Sequence, residues 1–202
     1  MANKLITKKI ILCSIALFAV SLIACRKSEN SGSGESSIFS NETDEAVQLV
    51  SEGNLLLKDV KKIYKENESK LATLKEAMNG KDVETVKKLA DDFVYKINDG
   101  MTLGEDAFKK IEDASNKNSN PKFQEYLNLK KLSLRKQLDA FEFRRQLARQ
   151  LRDAFKITKD ASLLEKAKGE LQQKEESFKK LMNEAEILSK EANDLAKTKK
   201  SA

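Results

Sequence analysis

Carboxylates stand side by side at Asp91-Asp92 and Glu175-Glu176, and two apart at Glu184 and Glu186. Such pairs could work as general acid and base. They fall, however, in stretches where lysines recur three or four residues away, as Glu66 with Lys70 and Glu176 with Lys180. That spacing reads as solvated, helix-stabilising pairs on outer faces. Histidine is absent from the 202 residues. Di-iron sites built from Glu-x-x-His pairs and histidine-ligated haem therefore cannot be assembled, and zinc loses its usual nitrogen ligand. No Gly-x-Gly-x-x-Gly, P-loop or Gly-x-Ser-x-Gly pattern occurs. We expect no enzyme, and assign no catalytic, cofactor-binding or metal-binding residue; the expected cofactor is none.

The two cysteines suit different chemistry. Lys4, Lys8 and Lys9 precede fifteen uncharged residues, Ile10 to Ala24, and the run closes Leu22-Ile23-Ala24-Cys25 before Arg26 and Lys27. This is the three-part layout of a secretory signal, and the run is shorter than the ~20 apolar residues of a spanning helix. It resembles bacterial lipoprotein signal peptides, in which a small residue at the place of Ala24 precedes a cysteine that is diacylated, freed by a signal peptidase and then usually N-acylated. Ile23 departs from the strictest form of that motif. Spirochaete lipoproteins of the outer-surface type are similar in tolerating such a residue, and in being lysine-rich and helical. The resemblance implies that residues 1–24 are removed and that Cys25 carries the lipid, typically palmitate. Cys13 then leaves with the signal, and the remaining chain has neither free thiol nor disulfide. Several acyl chains anchor stably, each buried CH₂ contributing about 0.8 kcal/mol. The address implied is the bacterial envelope, at the outer membrane or the cell surface.

Residues 25–40 hold Ser-Gly-Ser-Gly and little that could pack, and read as a tether with an r.m.s. span of roughly 20 Å. Ile38 and Phe39 would dock on the near end of the domain that the tether carries. Residues 41–202 read as helix almost throughout. Ala46, Val50, Leu57, Val60, Tyr64, Leu71, Leu74 and Met78 fall on alternating three- and four-residue steps, with Gly53 and Asn67 in the gaps. Asn79-Gly80 predicts a left-handed cap. Asp82 opens a second helix, which Gly100 and Gly104 weaken; Thr102 and Glu105 have capping-box spacing, so the helix kinks or restarts near Gly100. Pro121 suits a first helical turn. Ser162 and Glu165 announce a fourth helix whose coiled-coil-like seam, Leu164, Ala167, Leu171, Phe178, Leu181, Ala185, Leu188, Ala192 and Leu195, is interrupted once at Lys174. Helices are expected at about 42–78, 82–115, 121–158 and 162–198. Short connections make neighbours antiparallel, which predicts an all-α, elongated, up-down-up-down four-helix bundle. Two loosely joined hairpins or a three-helix core are the alternatives.

Charge is uneven. Losing residues 1–24 removes three lysines, leaving 35 basic against 32 acidic side chains, a balance of +3. Residues 82–115 hold five basic and nine acidic side chains, whereas 121–159 hold eleven and four, so helix three carries the positive charge. Its apolar residues form two faces: Leu129, Leu132, Ala140, Phe143, Leu147 and Ala154 on one, Leu127, Leu134, Leu138, Phe141, Ala148 and Phe155 on the other. The second face needs a cover, from a neighbouring helix or from another chain. Five of the six arginines, Arg135, Arg144, Arg145, Arg149 and Arg152, crowd here. Arg135, Phe141, Arg145, Arg149 and Arg152 are the candidate binding surface, since arginine beside phenylalanine suits protein interfaces and anions. Pairing with acids of helix two is the internal alternative. Besides the bilayer reached through Cys25, the partners considered are a host protein or an anionic glycan, and self-association. Nucleic acid is not expected of an exported chain with a small net charge. The function expected is a non-catalytic interaction lipoprotein, acting as a surface adhesin. A periplasm-facing structural or assembly role is the alternative.

Overall fold

The computed structural model describes residues 43–117, 120–157, 160 and 162–197. The signal, the tether and Cys25 lie outside the described residues. Among the described residues four helices follow in order: α1 (Asp44–Asn79), α2 (Val83–Asn116), α3 (Pro121–Ile157) and α4 (Leu163–Lys197). Each has 34 to 37 residues, about 50 to 55 Å at the α-helical rise.

Their ends have local causes. Thr43 Oγ1 accepts from the Ala46 N–H at 3.2 Å, satisfying one of the free donors that open α1. At its other end the sequence expectation is corrected. Gly80 is right-handed (φ −75°), and the left-handed residue is Lys81 (φ 56°). The Lys81 N–H donates to Met78 O and the Asp82 N–H to Ala77 O, the paired bonds of a Schellman turn with Lys81 as its reversing residue. Asp82 then caps α2, its Oδ1 accepting from the Thr85 N–H at 3.1 Å. Asn120 Oδ1 faces the Lys122 and Phe123 N–H groups ahead of α3, and Pro121 occupies the first turn. The expected capping box before α4 is also corrected. Asp160 Oδ1 accepts from the Ser162 N–H, while the Glu165 carboxylate pairs forward with Lys168.

The chain is an antiparallel four-helix bundle with one apolar core drawn from all four helices. Each fully buried Leu, Ile or Phe in it contributes about 1.5–3 kcal/mol. Extensive backbone contact joins successive helices, α1 with α2, α2 with α3 and α3 with α4. The α1 seam is buried at Ala46, Val50, Val60, Leu71, Leu74 and Met78, and at Gly53 and Asn67 in its gaps. α2 runs unbroken past Gly100, Thr102 and Gly104, so no restart occurs. Gly104 is there for packing: a Cβ at that position would lie 2.7 Å from Leu138 Cδ2 of α3. Helix α3 packs on both α2 and α4, as α2 does on α1 and α3. Its second face, Leu127, Leu134, Leu138, Phe141, Ala148 and Phe155, is buried throughout, so the cover comes from within the chain. On the first face Leu132 is 54% exposed.

Candidate functional site

The arginines of α3 divide into one that is buried and four that lie along an edge. Arg144 faces the interior, its side chain 6% exposed. Nε and Nη2 donate to the two carboxylate oxygens of Glu175 at 2.8 and 2.9 Å, the two-pronged geometry that only a guanidinium offers. Nη1 donates to Glu68 of α1. The guanidinium lies 3.5 Å from the Phe178 ring centre and 5.6 Å from that of Tyr64. Tyr64, Phe141 and Phe178 pack around it with ring centres 5.9 to 6.2 Å apart. Three helices thus meet in one ionic and aromatic layer.

Burial in that layer works against the charge of Arg144, but Glu175 and then Glu68 outweigh it, and its affinity for its proton rises. Burial also pushes the Tyr64 hydroxyl well up from its ordinary value, with the Glu68 charge acting in the same direction. The layer holds a fixed cation between two carboxylates and is closed by rings. Its chemistry is structural: it joins α1 to α3 and α4 on the side where their backbones are not in extensive contact.

Two sequence expectations change here. Phe141 is 7% exposed and belongs to this core layer, so it is not part of a surface. Glu175, read with Glu176 as an outer-face pair, is 6% exposed. Its position holds the signal: four residues after Leu171 and three before Phe178, it continues the seam through Glu175 and not through Lys174. Glu68 likewise follows Tyr64 by four residues and precedes Leu71 by three.

The remaining arginines follow the α2 side of α3. Arg135 is exposed, its guanidinium 4.6 Å from the centre of the Phe108 ring of α2. Arg145 is half-buried; it pairs with Glu142 and donates to Asn98 of α2 at 3.5 Å. Arg152 pairs with Asp153, and this bond, helped by Asp91 of α2, raises its proton affinity. Arg149 is exposed and has no ion pair among the described residues. The acids that hold Arg144, Arg145 and Arg152 thus come from α1, α4 and α3 itself, while α2 contributes Asn98, a ring and the field of Asp91. Lys70, expected to pair with Glu66, reaches Asp92 of α2 instead.

On the α4 side, a shallow depression of about 290 Å³ is lined by Phe143, Gln150, Glu170, Gln173, Lys174 and Ser177. It holds one carboxylate, Glu170. Among the described residues there is no cluster of three or more carboxylates or thiols placed to hold a metal ion, and no helix is long and apolar enough to cross a membrane. Comparison with models of protein families, with characterised proteins and with solved structures finds no match to this chain.

Proposed function

We propose that the protein is a lipid-anchored lipoprotein of the bacterial envelope whose helical bundle is a non-catalytic binding module. The observation that carries this reading is Leu22-Ile23-Ala24-Cys25 behind a lysine-bearing, then uncharged, N-terminus. Acylation of Cys25 would hold the bundle at the membrane by a short tether. The test is metabolic labelling with palmitate: the wild-type chain takes up label and fractionates with membranes, and Cys25→Ser does neither. Labelling that survives Cys25→Ser overturns the anchor.

For binding, the surface is the α2-side edge of α3, where Arg145, Arg149 and Arg152 follow at four- and three-residue steps and Arg135 lies further along. The ligand class that suits this edge is an anionic glycan or an acidic patch on a host protein. Replacing Arg145, Arg149 and Arg152 together by glutamine is expected to weaken retention on an anionic glycan at least tenfold while leaving helicity unchanged. Unchanged retention removes the edge as the binding surface. Protease treatment of intact cells checks the display: removal of the domain fits a surface adhesin, and protection rejects it in favour of a periplasm-facing role.

A further inference from the structure

Asn54, Lys61 and Glu68 follow one another at seven-residue steps on α1, and Lys130, Gln137 and Arg144 do the same on α3. Residues spaced in this way share one side of their helix. The two stripes meet at both ends. At one end Arg144 meets Glu68 and is completed by Glu175, so one buried cation has two carboxylates. At the other, Lys130 Nζ donates to Asn54 Oδ1 at 2.8 Å and lies 5.5 Å from the centre of the Tyr126 ring. That amide oxygen is neutral and satisfies one of the three ammonium donors.

Lys61 stands between these ends on α1 and is half-buried. Among the described residues no carboxylate pairs with Lys61 or Lys130. The charges that act on them are positive: burial and then Lys61 lower Lys130 to about 8, and burial and then Lys65 lower Lys61. A largely desolvated cation with no counter-ion is costly, and removing one partner of a buried pair leaves the same situation. The Arg144 layer shows how this chain neutralises an interior cation with its own acids. The lysine end of the same stripes has the cations and lacks the acids, the pattern of a site whose anion comes from outside.

We propose that Lys61 and Lys130, with the amide of Asn54, bind one compact oxyanion group, a sulfate, phosphate or carboxylate, between α1 and α3. The two ammonium groups supply charge, and the Asn54 NH₂ supplies a further donor. This site is separate from the arginine edge of α3 and does not depend on the anchor.

The test is titration of the full chain in detergent with sodium sulfate at pH 7, against sodium chloride at matched ionic strength, read by the NMR signals of the lysine ammonium groups. Saturable shifts of the Lys61 and Lys130 signals with sulfate, together with a rise in the Lys130 pKa by more than one unit, are expected. Lys61→Gln, at a half-buried position where folding should survive, and Lys130→Gln should each weaken binding at least tenfold. Lys122→Gln, exposed at the start of α3, should leave it unchanged. Shifts that grow linearly with salt, or that persist equally in Lys61→Gln, overturn the site. Repeating the titration with a sulfated disaccharide separates the sources: tighter binding than sulfate assigns a sugar-borne group, and equal or weaker binding a free ion.

Discussion

At the residue scale, Arg144 and Lys81 each hold a conformation or a charge that another residue must support. Taking away Glu175 would leave Arg144 buried with only the half-exposed Glu68, and breaking a buried pair from one side costs about 3–5 kcal/mol. We therefore expect Glu175→Ala to lower the urea unfolding free energy by that amount, whereas Arg144→Met with Glu175→Leu loses far less, because both charges leave together. Equal losses would show that the pair contributes nothing beyond packing. Lys81 sits in the left-handed region at φ 56°, which costs a side chain with a Cβ about 1–2 kcal/mol. Gly80 is right-handed, and an added Cβ there would be 3.5 Å from Glu76 O, ordinary contact. Moving the glycine by one place, Gly80→Ala with Lys81→Gly, should raise stability by about 1 kcal/mol. The Asn79-Gly80 pair made a turn legible in the sequence. Which residue reverses was not, because that depends on where the last α1 hydrogen bonds end.

At the element scale, two glycines inside helices have opposite reasons to be there. A Cβ on Gly169 of α4 would meet nothing within 4 Å, while one on Gly104 of α2 would run into Leu138 of α3. Glycine in a helix costs about 1 kcal/mol relative to alanine. Gly169→Ala should therefore stabilise by about that much. Gly104→Ala should fall at least 1 kcal/mol short of it, since overpacking typically costs about 1–3 kcal/mol; thermal midpoints of the two variants decide this. Read along one helix, Gly100 and Gly104 are breakers. Seen between helices, Gly104 marks where α2 and α3 come close. The seams of α1 and α4 were legible because three- and four-residue steps are a property of one helix. Glu175 was not, because an acid in a seam gains its meaning from the arginine that faces it.

For the whole molecule, a single core and the Arg144 layer tie the four helices together, so unfolding should be one cooperative transition. Far-ultraviolet dichroism and tyrosine fluorescence are expected to give coincident urea midpoints; separate midpoints would mean that the α1–α2 and α3–α4 hairpins unfold independently. Stability should also carry the signature of Lys130. Its folded pKa of about 8 lies below the ordinary lysine value, so between these the unfolded chain binds more protons and stability increases with pH. Relative to Lys130→Met, the wild type should gain stability from pH 8 toward pH 10 and show no further difference in slope below pH 8. A flat difference would remove Lys130 as a desolvated cation. The sequence by itself determined the class of this protein: four helices of similar length with short connections, because apolar periodicity, caps and turns are local. It also determined the motif around Cys25. Tertiary structure alone decided which charges are interior and which apolar face of α3 has a cover, because burial is set by what lies across from a residue and not by its own neighbours in the chain.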